Sequence, residues 1–346
     1  MPLNRISLKH FTVFEQLDIE LSDGLNVFVG ANGKGKTHIM KVLYSACQSA
    51  DPKVAFNQKI VRCFLPDDHR IARLVSRKPG NTDAVVRVSG SSLSSDEAKI
   101  LSAKFNIKTK KWDASVTGED GWEKLFQDMT STFIPAKEIL SNAYNLNAAV
   151  EKNNISFDDT YLDIVNSAKI DISMGKNPAS RRKLLSQIED IIDGKVFFDR
   201  SKDEFYLTQG KSKLEFNLVA EGIRKIALIW QLVKNGTLEK GSILFWDEPE
   251  ANINPIHLSI IAEILLTLQR NGVQVFISTH DYILAKYIEI RSKSEDNVTF
   301  FSFYSENDTV HCEESQKFSQ LKNNPIMSAF DALLDEVYFD QVNGNG

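Results

Sequence analysis

The stretch FVGANGKGKTHIMKVL, residues 28–43, decides how the rest of the chain is read. It sets three glycines and three lysines between an apolar run and a segment with helical spacing. Residues 30–37 fit the pattern G-x-x-x-x-G-K-[ST]. Glycine lets the backbone turn through positive φ and approach a ligand closely. Successive N–H groups in such a turn form an anion nest, and the helix that follows adds its positive end. The combination suits a polyphosphate. Contacts are expected from Gly30, Ala31, Asn32, Gly33, Lys34, Gly35, Lys36, Thr37 and His38, with Lys36 on the β- and γ-phosphates and Thr37 on Mg²⁺.

Working outward, RISLKHF, FEQLDIEL and LNVFVG read as strands, with Ser22, Asp23 and Gly24 turning between the last two. A helix is predicted over 36–49. DAVVRVS, KILSAKFNI and KKWDASV read as further strands, with SSLSS as a loop. From Ala136 to Asp193 the pattern is helical, and KVFFD, EFYLTQ and KLEFNL then return to hairpin rhythm.

The last third alternates. GIRKIALIWQLVK, HLSIIAEILLTLQR and DYILAKYIEI read as helices. SILFWD, VQVFIST and NVTFFSF read as strands, the first two apolar enough for burial on both faces of a parallel sheet. The tail PIMSAFDALLDEVYFD is an amphipathic helix. The prediction is an α/β fold with a mostly parallel core sheet, an antiparallel N-terminal β flank and a helical insertion. Residues 1–134 and 196–346 form the core, and 135–195 the insertion.

Two more motifs fall at strand ends. SILFWDEPE ends an apolar strand in two acids, placing carboxylates at the C-terminal edge where α/β sheets bind ligands. Asp247 is expected to hold Mg²⁺ and Glu248 to activate a water against the γ-phosphate. FISTHD ends a neighbouring strand, and His280 there is expected to sense the γ-phosphate. Lys36, Glu248 and His280 are thus the candidate catalytic residues, and Thr37 and Asp247 the metal ligands.

In this order, GANGKGKT, LFWDEPE and STHD resemble the nucleotide-binding domain of ABC-type ATPases, in particular the soluble RecF-like, SMC-like and OLD-like group. The likeness covers about residues 1–60 and 205–290. It implies an ABC-type P-loop NTPase fold, ATP and Mg²⁺ as ligands, and a head-to-tail dimer or higher oligomer. The family's signature would be Ala220, Glu221 and Gly222, acting in trans; its usual serine is replaced by Ala220, which removes a hydroxyl donor. Arg224 or Lys225 either compensates or is a surface charge. A Gly222→Asp change is expected to block closure and leave the monomer's binding intact. Ala251, Asn252 and Asn254 would form the D-loop. For the family's Q-loop, Gln48 and Gln58 are candidates by default.

Composition bounds the rest. Of 346 residues 42% are hydrophobic and 25% charged, with net charge −5, so the whole chain is no magnet for nucleic acid. Lys176, Arg181, Arg182 and Lys183 are a small basic cluster, a solvated face or a phosphate contact. Cys47, Cys63 and Cys312 are scattered thiols of a reducing compartment. The N-terminus lacks a signal-peptide core and no apolar run spans a bilayer, so a cytoplasmic protein without membrane contact is expected.

Relatives of the OLD kind carry a Toprim nuclease domain after the ATPase. The acids Asp331, Asp335, Glu336 and Asp340 are here read as a helix face and not a nuclease centre, because only about sixty residues follow His280. By analogy with stand-alone ATPases of this style, the expected role is gating a separate effector, a toxin or nuclease, in a bacterial anti-phage defence module. The alternatives are a RecF-like DNA-binding ATPase, for which nucleic acid is the partner, and a scaffold that assembles on ATP with little turnover.

Overall fold

Three of the central strands are mostly apolar, and a sheet covered on both faces buries such runs. In the computed structural model, which describes residues 3–92, 95–152, 156–172 and 178–342, a six-stranded sheet runs β14-β13-β3-β12-β11-β7. Its strands are β3 (Leu25–Gly30), β7 (Ser131–Ile134), β11 (Ile243–Asp247), β12 (Gln274–Thr279), β13 (Val298–Glu306) and β14 (Thr309–Ser315). All neighbours are parallel except the β13–β14 hairpin. β3, β11 and β12 are buried at every position.

The antiparallel flank is a second sheet in the order β2-β1-β4-β5-β6. It comprises β1 (Leu3–Phe11), β2 (Phe14–Glu20), β4 (Asp83–Ser92), β5 (Ser95–Asn106) and β6 (Ser115–Thr117). A third sheet, β10-β9-β8, uses β8 (Lys195–Asp199), β9 (Glu204–Gln209) and β10 (Ser212–Glu215). The helices are α1 (Lys36–Gln48), α2 (Phe56–Phe64), α3 (Glu119–Phe126), α4 (Leu146–Glu151), α5 (Asp159–Ala168), α6 (Ala179–Ile192), α7 (Glu221–Lys234), α8 (Leu258–Arg270), α9 (Tyr282–Arg291) and α10 (Pro325–Val342).

The core divides across the central sheet. One layer packs α1, α2 and the N-terminal flank on one face. The other packs α5, α6, α7, α8 and α9 on the opposite face. Five strands each give a phenylalanine to the first layer: Phe133, Phe245, Phe276, Phe28 and Phe301. Neighbouring rings lie 4.9–6.2 Å apart between centroids. The row fixes strand order by side-chain contact as well as by backbone pairing.

Some readings shift. KKWDASV gives only the first two residues of β6, because Lys110–Asp113 is a turn with Lys111 at positive φ. Among the described residues of 136–153 only α4 and a 3-10 turn at Leu140–Asn142 are helical. β7, β14, α2 and α3 are elements the sequence pattern does not announce.

The start of α10 is anchored to the core. Phe330 stacks on Tyr282 with centroids 3.9 Å apart, Ile326 packs against the core, and Asn324 caps the first turn. From Asp331 to Tyr338 every residue is exposed, including Leu333, Leu334 and Val337. Among the described residues no helix is long and apolar enough to cross a membrane, and no group of three or more His, Cys, Asp or Glu could hold a metal ion.

Candidate nucleotide-binding site

β3 ends at Gly30, and the glycine-rich turn delivers the chain into α1 at Lys36. Gly35, the residue before α1, sits at φ +86, and a Cβ there would lie 2.4 Å from the Phe14 ring. Both backbone and packing therefore demand glycine. The α1 N-terminus carries no side-chain cap and no acid in its first turn, so its positive end stays free for an anion. The Lys36 side chain folds back over the loop, donating to Gly30 O at 2.6 Å and Ala31 O at 3.0 Å. It is only 7% exposed. Burial pulls its ammonium below the ordinary lysine range, and Asp247, Glu248 and Glu250 oppose that shift.

β11 brings its acids to the same edge. In the β11–β12 register Asp247 faces Ser278. The Ser278 hydroxyl donates to Asp247 Oδ1 at 2.5 Å, and the Thr37 hydroxyl donates to Oδ1 at 3.1 Å and Oδ2 at 3.0 Å. Burial pushes the Asp247 carboxyl above the ordinary range, and those two hydroxyls pull it back. A buried carboxylate beside a hydroxyl is a hard oxygen donor set of the kind Mg²⁺ takes together with phosphate oxygens. The Thr37–Asp247 pair therefore fits the metal, and the Lys36 loop fits the polyphosphate. Asn32 to His38, Glu248 and Ser278 line a cleft of about 290 Å³.

Glu248 takes φ +48, in the left-handed region, and its amide donates to Ser278 O at 3.0 Å. The sharp turn separates it from the strand and leaves its carboxylate half-buried at the cleft. His280 follows β12, with Nδ1 at 3.6 Å from both Glu248 Oε1 and Glu250 Oε1. Lys36, Thr37, Asp247 and Glu248 are thus brought to one edge, with His280 beside Glu248. Lys34 instead reaches Ser305 Oγ at 2.6 Å. His38 lines the cleft but is half-buried against Phe64, with Nδ1 3.0 Å from Thr12 Oγ1. Burial and then the Lys41 charge push its imidazole down to about 4.

The residues expected to form the signature and the D-loop meet within one chain. Glu221 opens α7, and its carboxylate accepts from Asn252 Nδ2 at 2.8 Å. Lys225 is 1% exposed and donates to Ala251 O at 2.9 Å. Arg224 donates to Glu138 at 2.7 Å and to the carbonyls of Phe216 and Val219. Neither residue is a surface charge, because both are committed to the protein's own packing. Ala220 gives α7 no side-chain cap. Asn254 caps the next short turn through Ile256 N. A Cβ on Gly222 would come within 2.5 Å of Asn252 O. A side chain there strikes the backbone of Asn252 and Ile253 in its own chain, so Gly222→Asp perturbs the monomer as well as any partner contact.

Neither Gln48 nor Gln58 is among the residues that line the cleft. Gln48 ends α1 and donates to Ser131 Oγ at 2.9 Å, at the opening residue of β7 and so at the far edge of the parallel sheet. Gln58 is exposed on α2. The loop that leaves β7 beside Asp247 carries Pro135, Ala136 and Lys137 instead. In the basic cluster Lys176 lies outside the described residues, and Arg181 is paired with Glu239 at 3.2 Å.

Sequence reasoning passed over Ser278, Glu138 and Glu250. Ser278 had a signal, a hydroxyl following the apolar run 275–277 of its strand. Lys225 was read as a compensating or a surface charge, although it lies on the helix face of Leu228, Ile229 and Leu232. Glu138 had no signal.

The family described as "AAA domain, putative AbiEii toxin, Type IV TA system" matches residues 25–285. The DNA replication and repair protein RecF of Streptococcus suis is 35% identical over 80 residues, 23% of this chain and 22% of that protein. RecF of Cronobacter sakazakii is 32% identical over 100 residues, 26% of this chain and 28% of that protein. The chain thus spans about a quarter of the length of these curated relatives. An SMC head bound to the C-terminal winged-helix domain of ScpA superposes with a TM-score of 0.61 at 12% identity, covering 91% of this chain and 98% of that one. An SMC head with an extended coiled coil, bound to the C-terminal domain of ScpA from Pyrococcus furiosus, gives 0.54 at 10% identity, covering 97% and 99%. At such identity the likeness establishes the fold, an ABC-type P-loop NTPase.

Proposed function

The chain belongs to this AAA-domain family, in the RecF- and SMC-like group of ATPases, and on that premise we propose that it binds and hydrolyses ATP with Mg²⁺ as a head-to-tail dimer. The observation that carries the reading is the convergence of Lys36, Thr37, Asp247 and Ser278 on one cleft with Glu248 at its wall. The bound metal would neutralise phosphate charge between Thr37 and Asp247. Lys36 would turn from its loop carbonyls to the β- and γ-phosphates. Glu248 would orient a water and take its proton as the oxygen attacks phosphorus and the β–γ bridge breaks. Such transfer rests mainly on positioning and charge neutralisation. The uncapped N-terminus of α7, with Ala220, Glu221 and Gly222, would face the γ-phosphate of the partner copy.

The purified chain should hydrolyse ATP only with a divalent cation. Lys36→Ala should lose nucleotide binding by calorimetry, and Glu248→Gln should bind ATP, fail to turn it over and accumulate as a dimer in light scattering. Normal hydrolysis by Glu248→Gln would place the base elsewhere.

We further propose that the ATPase gates a separate effector in a bacterial defence module, with 135–195 as a docking segment on the core. The family description, which names a toxin of a type IV system, supports this. The stretch shared with RecF supports a second reading, ATP-dependent DNA binding. Salt-sensitive binding to duplex DNA that ATP strengthens would favour it.

A further inference from the structure

Glu250 lies two residues past Glu248, and nothing above gives it a role in the reaction. Its side chain is only 6% exposed. One carboxylate oxygen, Oε1, accepts from the Thr279 hydroxyl at 2.8 Å and from the His280 amide at 3.1 Å. The Thr279 hydroxyl in turn accepts from Asp281 N at 3.0 Å, and Asp281 caps α9 through Leu284 N. The other oxygen, Oε2, is buried and meets no hydrogen-bond donor of the protein. A buried carboxylate with an unused oxygen is costly. Burial accordingly pushes the Glu250 carboxyl above the ordinary range, opposed by hydrogen bonds from backbone amides and Thr279.

His280 stands beside both carboxylates. Its Nδ1 stands 3.6 Å from Glu250 Oε1 and from Glu248 Oε1, equidistant between the two carboxylates. We propose that Glu250 is a positioning residue, which by holding Thr279 and the His280 amide on one oxygen sets the His280 imidazole against Glu248 and ties that placement to the bound nucleotide. The inference rests on the ATPase reading given above. Glu250 touches neither phosphate nor metal in this role; it acts through His280.

The test compares Glu250→Ala and Glu250→Gln in the full chain by two readouts. Gln keeps an acceptor oxygen for Thr279 and His280, and Ala keeps none. Hydrogen–deuterium exchange over 278–284, with and without Mg-ATP, reads the placement. In Glu250→Ala that segment should exchange faster and lose the slowing that ATP confers, and in Glu250→Gln it should retain both. Steady-state kinetics should show kcat down about tenfold or more in Glu250→Ala at an unchanged KM for ATP, the size expected of a supporting residue behind a reacting group, with Glu250→Gln recovering most of it. Faster exchange with wild-type kcat would overturn the proposal, as would unchanged exchange. If the wild-type chain binds ATP without hydrolysing it, the ATPase reading falls on its own. The exchange comparison then still decides whether Glu250 couples His280 to nucleotide.

Discussion

His38 directly follows Thr37, the proposed metal ligand, yet its ring is turned to Thr12 and Phe64. Its pKa falls from 6.5 to about 4 on folding. A base held neutral in the native state contributes stability in full above pH 6.5, and that stability is lost as pH falls toward 4, where the unfolded chain binds the proton first. The contribution is about 3 kcal/mol at most. Urea unfolding of nucleotide-free protein should therefore weaken steeply between pH 6.5 and 4.5, and His38→Gln should flatten that slope. An unchanged slope would show that other groups carry it. At this scale the P-loop and the two acids were legible because phosphate chemistry leaves little freedom in residue type or spacing. The partners of Arg224 and Glu250 were not, since both depend on which loops the fold brings together, 86 residues apart for Arg224 and Glu138.

Among elements, α5 is fastened to α1 and α2 by charge. Lys59 of α2, with its side chain 4% exposed, meets Asp159 at 2.7 Å and Asp163 at 2.6 Å, while Lys41 of α1 meets Asp158 at 2.7 Å. Tyr44 adds a hydroxyl bond to Asp163. Burial works against the Lys59 ammonium, and the negative groups around it outweigh burial and raise its pKa. Truncating Lys59 leaves two carboxylates facing a poorly solvated gap. Lys59→Ala should cost about 3 kcal/mol in denaturant unfolding, and adding Asp159→Asn and Asp163→Asn should return part of it. A cost under about 0.5 kcal/mol would mean that water screens the cluster. Strands buried on both faces and long periodic helices were readable from the pattern. β7 was not, because four residues give no period, and α5's attachment was not, because its acids look like any solvated helix face.

For the whole molecule, two exposed aliphatics flank the surface proposed to meet a second copy. Leu218, just before α7, and Ile256, just after the D-loop, are each 72% exposed. Leu218→Asp and Ile256→Asp should leave the monomer's melting temperature within about 1 °C, as surface changes do. Both should abolish ATP-dependent dimerisation of Glu248→Gln in light scattering. Dimers of normal affinity in both variants would put the interface elsewhere.

The outward run of α10 carries a chemical bias of its own. After Lys322 the sequence contains no lysine or arginine, while Phe330, Leu333, Leu334 and Tyr338 follow one another along the helix. Trypsin therefore has no cleavage site within this spur, whereas chymotrypsin has several on exposed backbone. Brief digestion of the native protein should trim the last turns with the second enzyme alone, and binding of any ligand along the spur would register as resistance to that cut.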